Sequence, residues 1–130
     1  MRIQRTALAL VAAVCSLPGF AVEYACEVTR KFDRESEYTA EQIAKLQYSN
    51  RVEESYETAF VSRCSFAPSA GKVTCDRYKI DRVSFDENMK IKKYYLFRSQ
   101  FDFQVFDDLS FVENNGRGGV SYGKCTLVSP

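Results

Sequence analysis

Histidine is missing from this 130-residue chain. That absence excludes Ser-His-Asp and Cys-His nucleophilic systems, imidazole-bound metal and histidine acid–base work. Neither a G-x-x-x-x-G-K-[ST] nor a G-x-G-x-x-G phosphate loop is present. Gly116, Gly118 and Gly119 lie between two strand-like runs, so they read as a hairpin turn rather than a phosphate cradle. No C-x-x-C occurs, which removes the thioredoxin-type redox motif and the close ligand pairs of a zinc site. Excess charge is lacking too: the formal total is +1. A balance of that kind gives no footing for a polyanion, so no nucleic-acid partner is expected.

What is present begins with an export signal. Arg2 and Arg5 precede the apolar run Thr6 to Leu17, then Pro18-Gly19 breaks the pattern. Gly19 and Ala21 place small residues at the −3 and −1 positions of a cleavage site, which is the order of a secretory signal peptide. The run falls short of the ~20 residues that span a bilayer, so no stable membrane insertion is expected. Val14 and Ala12 stand where a lipoprotein site would have a small residue and a leucine, so Cys15 reads as part of the leader. Cleavage after Ala21 moves the formal charge to −1 and leaves residues 22–130 as a single domain in the periplasm or outside the cell.

Cys26, Cys64, Cys75 and Cys125 remain, an even count that reads as two disulfides. Three pairings are open. Cys64–Cys75 with Cys26–Cys125 is favoured, because the first pair would brace two strands around a Pro-Ser-Ala-Gly reversal and the second would join the first strand to the last. In the chain-entropy model a loop of about a hundred residues contributes roughly 4–5 kcal/mol and one of about a dozen roughly 3.

Period-2 alternation dominates the body. Strands are expected at Glu23–Thr29, Tyr56–Phe66, Lys72–Ile80, around Val83 and Phe85, and at Ile91–Arg98. Phe101–Phe106, Leu109–Val112 and Val120–Val128 follow. Thr39-Ala40-Glu41-Gln42 has the form of a capping box and predicts a short helix through Leu46 that closes one end. The predicted fold is mainly all-β: a small, disulfide-braced antiparallel β-barrel of about eight strands with one short helix. A two-sheet sandwich is the second choice.

Paired carboxylates, the chemistry of glycoside hydrolysis, are available by residue type at Asp107-Asp108 and Glu53-Glu54. Solvated turn or edge positions account for them more simply. Lys92-Lys93-Tyr94-Tyr95-Leu96-Phe97-Arg98 interleaves cations with rings like an oligonucleotide face, but strand alternation splits those rings between core and surface. Met89 reads as a packing residue rather than a metal ligand.

The opening Tyr24-Ala25-Cys26, the terminal-to-terminal cysteine pattern and the barrel pattern together resemble the periplasmic and membrane-bound inhibitors of C-type lysozyme. Ser69-Ala70-Gly71-Lys72-Val73 matches the opening of that family's Ser-Gly/Ala-x-x-Tyr motif, with Val73 where tyrosine belongs. Gly118-Gly119-Val120-Ser121-Tyr122 matches its end and lacks the serine. The later Tyr-x-x-x-Thr-Lys-Gly motif has no counterpart. The resemblance implies a small barrel that blocks a lysozyme cleft with loop residues, does no chemistry of its own and needs no cofactor or metal; it carries over Ser69. Turn position adds Lys72, Arg117 and Lys124 as expected partner contacts, since loops on a rigid scaffold carry such roles. Two rivals stand beside this: a barrel holding a small apolar ligand among its Phe and Tyr rings, and a carboxylate-only hydrolase.

Overall fold

The computed structural model describes residues 21–129, so the expected leader lies outside the described residues apart from Ala21. Nine strands follow in chain order: β1 (Val22–Phe32), β2 (Ser49–Glu54), β3 (Ala59–Ala67), β4 (Lys72–Lys79), β5 (Arg82–Asp86), β6 (Ile91–Leu96), β7 (Phe101–Val105), β8 (Ser110–Asn114) and β9 (Val120–Ser129). They form one antiparallel sheet in the order β4-β3-β2-β1-β9-β8-β7-β6-β5, curled into a half-barrel.

The curl follows from the link between the two edge strands. With every pairing antiparallel, β4 and β5 run in the same sense, and only Ile80 and Asp81 join them. The Ile80 N–H donates to the Ala59 carbonyl at 2.8 Å and the Asp81 N–H to the Tyr95 carbonyl at 2.8 Å. One bent strand thus starts on one edge of the sheet and finishes on the other. Ile80 is buried at the bend.

Alternation decides which side chains fill the interior. In β7, Phe101, Phe103 and Val105 are buried while Asp102 and Gln104 are not. Val52, Val61, Tyr94, Phe103 and Phe111 are almost completely enclosed. Phe103 and Phe111 stack with centroids 4.9 Å apart. Each such ring removed from water contributes about 1.5–3 kcal/mol.

The expected barrel is present, with nine strands rather than about eight. The additional one is β2, whose inward positions are Asn50, Val52 and Glu54, so one apolar residue alone marks the buried face. The strand expected from Tyr56 begins at Ala59 instead. Ser55 and Thr58 close a turn there, with the Ser55 N–H donating to the Thr58 carbonyl at 2.7 Å, and Tyr56 stands fully in solvent.

Both favoured disulfides are formed, Cys26–Cys125 between β1 and β9 and Cys64–Cys75 between β3 and β4. The first is buried in the core. Helix α1 (Ala40–Leu46) carries the expected capping box, Thr39 Oγ1 accepting from the Gln42 N–H at 3.1 Å and Gln42 Oε1 from the Thr39 N–H at 2.8 Å. None of its residues is buried, so it lies on the rim beside β1 and β3 rather than plugging the interior.

Gly123 lets β9 approach β1 and Phe111 closely. A Cβ there would collide with the Glu27 carbonyl oxygen and the Phe111 ring. The β1–β9 register shifts just beyond, between Val28 and Arg30, and this bulge resets the alternation, so that Arg30 is exposed and Lys31 half-buried. Among the described residues no helix is long and apolar enough to cross a membrane.

Candidate binding end and its polar cavity

The registers place four connections at one end of the sheet. These are the β1–β2 connection with α1, and the β3–β4, β6–β7 and β8–β9 turns. Gly116, at φ +76°, fits closely against the Ser99 and Gln100 carbonyls, so the β8–β9 and β6–β7 turns pack on each other.

Ser69 sits at the tip of the β3–β4 turn, which the Ala70 and Gly71 N–H groups close on the Ala67 carbonyl at 3.0 and 2.9 Å. Lys72 starts β4 opposite Ala67 and is exposed. Arg117 lies in the β8–β9 turn, held there by its N–H donating to Asn115 Oδ1 at 2.7 Å. These three expected contacts therefore belong to turns at the same end. Lys124 does not join them. It lies within β9 opposite Ser110, toward the other end, with Nζ 3.7 Å from Asp108 Oδ2.

Inside that same end is a polar cavity of about 190 Å³, lined by Lys31, Tyr48, Asn50, Arg63, Asp76, Glu113 and Ser121 among others. Alternation aims these side chains inward. Asn50, Arg63 and Asp76 share one row across β2, β3 and β4, and Lys31, Ser121 and Glu113 share another across β1, β9 and β8.

The buried Glu113 carboxylate anchors the cavity floor. Arg63 Nε meets its Oε1 at 2.6 Å, and Asn50 Nδ2 donates to its Oε2 at 2.6 Å and to the Ser62 carbonyl at 3.4 Å. That orientation leaves the buried Asn50 Oδ1 with no hydrogen-bond partner. Lys31 Nζ donates to Ser121 Oγ at 3.0 Å and lies 4.6 Å from the Tyr48 ring centroid and 5.7 Å from that of Tyr38. Burial lowers the Lys31 pKa, opposed by the Glu113 charge and reinforced by that of Arg63. Burial likewise raises the Tyr48 phenol, aided by Tyr38.

A second interior cluster sits toward the opposite end. Glu54 Oε1 accepts from the Tyr94 hydroxyl at 3.0 Å and pairs with Lys92 Nζ at 2.6 Å. Burial raises the Tyr94 phenol strongly, helped by the Glu54 charge.

The carboxylate pairs of the hydrolase reading are separated by these same rules. Glu53 faces outward to Arg77 at 3.4 Å, while its neighbour Glu54 faces inward. Asp108 is held below its usual pKa by the Ser110 hydroxyl and N–H, as expected of a turn residue. Alternation also splits the aromatic run: Tyr94 is buried, whereas Tyr95 stacks on the exposed Phe97. Met89 is 67% exposed in the β5–β6 turn, so the expectation that it is a packing residue is corrected. Its turn is held by Asp86 Oδ1 accepting from the Asn88 and Met89 N–H groups, which leaves the side chain outside. Among the described residues no cluster of His, Cys, Asp and Glu is suited to a metal ion.

The interior cluster escaped the sequence reading. Asn50, Arg63 and Glu113 are polar residues at inward positions of strands, a signal visible only once the registers are known. Comparisons with protein families, with curated proteins and with solved structures give no match to this chain.

Proposed function

We propose that this is an exported, non-enzymatic binding protein that recognises a protein partner through the end of the half-barrel bearing Ser69, Lys72 and Arg117. One observation carries the reading: the turns holding these three residues open at the same end of a disulfide-braced sheet. Exposed serine and basic side chains on rigid hairpins suit insertion into an acidic cleft, where each charge-assisted hydrogen bond contributes roughly 1.5–3 kcal/mol.

The partner we propose is a C-type lysozyme, blocked by loop occlusion of its catalytic cleft. Two disulfides suit an oxidising location, the periplasm or the exterior. Two features weigh against the rival readings. Glu113 is committed to Arg63 and Asn50 rather than poised for proton transfer, and the interior rings of Tyr94, Phe103 and Phe111 are packed rather than lining an apolar chamber.

The test is lysozyme turnover of cell-wall glycan with increasing amounts of the oxidised protein. Stoichiometric loss of lysozyme activity is expected. Unchanged lysozyme activity at large molar excess overturns the partner, and glycan turnover by this protein alone overturns the non-enzymatic reading.

A further inference from the structure

The polar cavity offers more hydrogen-bonding capacity than the fold uses. Lys31 is half-buried, yet it has no carboxylate within 4.0 Å among the described residues and bonds only Ser121 Oγ. The Tyr48 and Tyr38 rings flank it. Asn50 is 3% exposed and lines the same cavity with an unpartnered Oδ1. Its amide cannot turn to relieve this without losing the short bond from Nδ2 to Glu113. Asp76, also on the lining, makes no ion pair among the described residues. Arg63 and Glu113 neutralise each other, so the charged groups left over are one ammonium and one carboxylate, beside the unpartnered Asn50 carbonyl.

We propose that this cavity binds a small zwitterion of the α-amino-acid type, its carboxylate on Lys31 and its ammonium toward Asn50 Oδ1 and Asp76. Charge sets the class. An anion without a donor leaves Asn50 and Asp76 unanswered, and a cation alone is repelled by Lys31. Size agrees: a cavity of about 190 Å³ that opens to solvent on one side admits glycine, alanine or serine. This site is separate from the turn tips of the protein-partner reading, since Lys31, Asn50 and Asp76 lie within β1, β2 and β4.

The experiment is titration of the oxidised protein with glycine, alanine, acetate and methylammonium, followed by amide chemical shifts. Saturable shifts with glycine or alanine, centred on Lys31, Asn50, Asp76 and Ser121, are expected. Acetate and methylammonium should bind at least about ten-fold more weakly, and K31Q and D76N should each weaken glycine by a similar factor. Asp76 lies on an exposed edge strand, so D76N keeps the test meaningful even if K31Q perturbs folding. Absence of saturable shifts overturns the site. Acetate binding as tightly as glycine overturns the zwitterion, and binding unaffected by D76N removes the ammonium contact.

Discussion

Arg63 on β3 and Glu113 on β8 meet Nε to Oε1 at 2.6 Å although β2, β1 and β9 lie between their strands in the sheet. The pair spans the hollow of the curl instead of running along a ladder. Asn50 to Glu113, and Tyr94 to Glu54, do the same from other strands. Ile80 and Asp81 link the sheet's two edge strands, and these interior bridges act as further cross-ties across the curl.

Removing one member of the first tie should cost more than removing both. Glu113 is 5% exposed at its side chain and Arg63 29%, so a stranded arginine reaches water more easily than a stranded carboxylate. R63M should therefore destabilise by roughly 3 kcal/mol, at the low end of the range for breaking a buried pair. E113Q should cost less, and the R63M/E113Q double variant less than R63M alone. Urea unfolding of the four proteins checks the order.

The two disulfides should differ in worth because they close loops of different length. Their cysteines are separated by 99 residues for Cys26–Cys125 and 11 for Cys64–Cys75. Paired Cys→Ala replacement should cost roughly 4–5 kcal/mol for the first and about 3 kcal/mol for the second in the chain-entropy model. Denaturant midpoints, converted with the measured slopes, give the comparison.

Tyr94 should contribute to the alkaline limb of stability. Its phenol is raised in the folded state by burial and by Glu54, above the ordinary value of 10.0. Its stabilising effect is complete below pH 10 and declines as pH rises past it, because the unfolded chain ionises first and then binds fewer protons. The decline for one such group is about 1.4 kcal/mol per pH unit. Y94F should flatten the fall in unfolding free energy between pH 10 and 11 by about 1 kcal/mol, because the unfolded phenol is only half ionised at pH 10 and reaches the full slope above pH 11. An unchanged slope would mean that Tyr94 ionises equally well in both states.

The sheet, both disulfides and the helix cap were legible because each leaves a local mark: alternation in Phe101–Val105, cysteines flanking the Pro68–Gly71 reversal, and Thr39 with Gln42 three residues on. Strand β2 was not, since two of its three inward residues, Asn50 and Glu54, are polar. Their burial is made tolerable by partners on β8 and β6, distant in sequence, and no local pattern announces such partners. The same reason hid the cavity. Ser69 came from the resemblance and Lys72 and Arg117 from turn position, but Lys124 followed only from nearness in sequence to the last turn, and the β8–β9 register carries it away from that end.

Calorimetric titration into a C-type lysozyme tests whether recognition resides in the turns at one end. The oxidised protein should bind one to one, and S69A/K72A/R117A should weaken binding at least about hundred-fold at unchanged thermal stability, while K124A changes it little. No binding by the unaltered protein, or a loss from K124A equal to that of the triple variant, would contradict it.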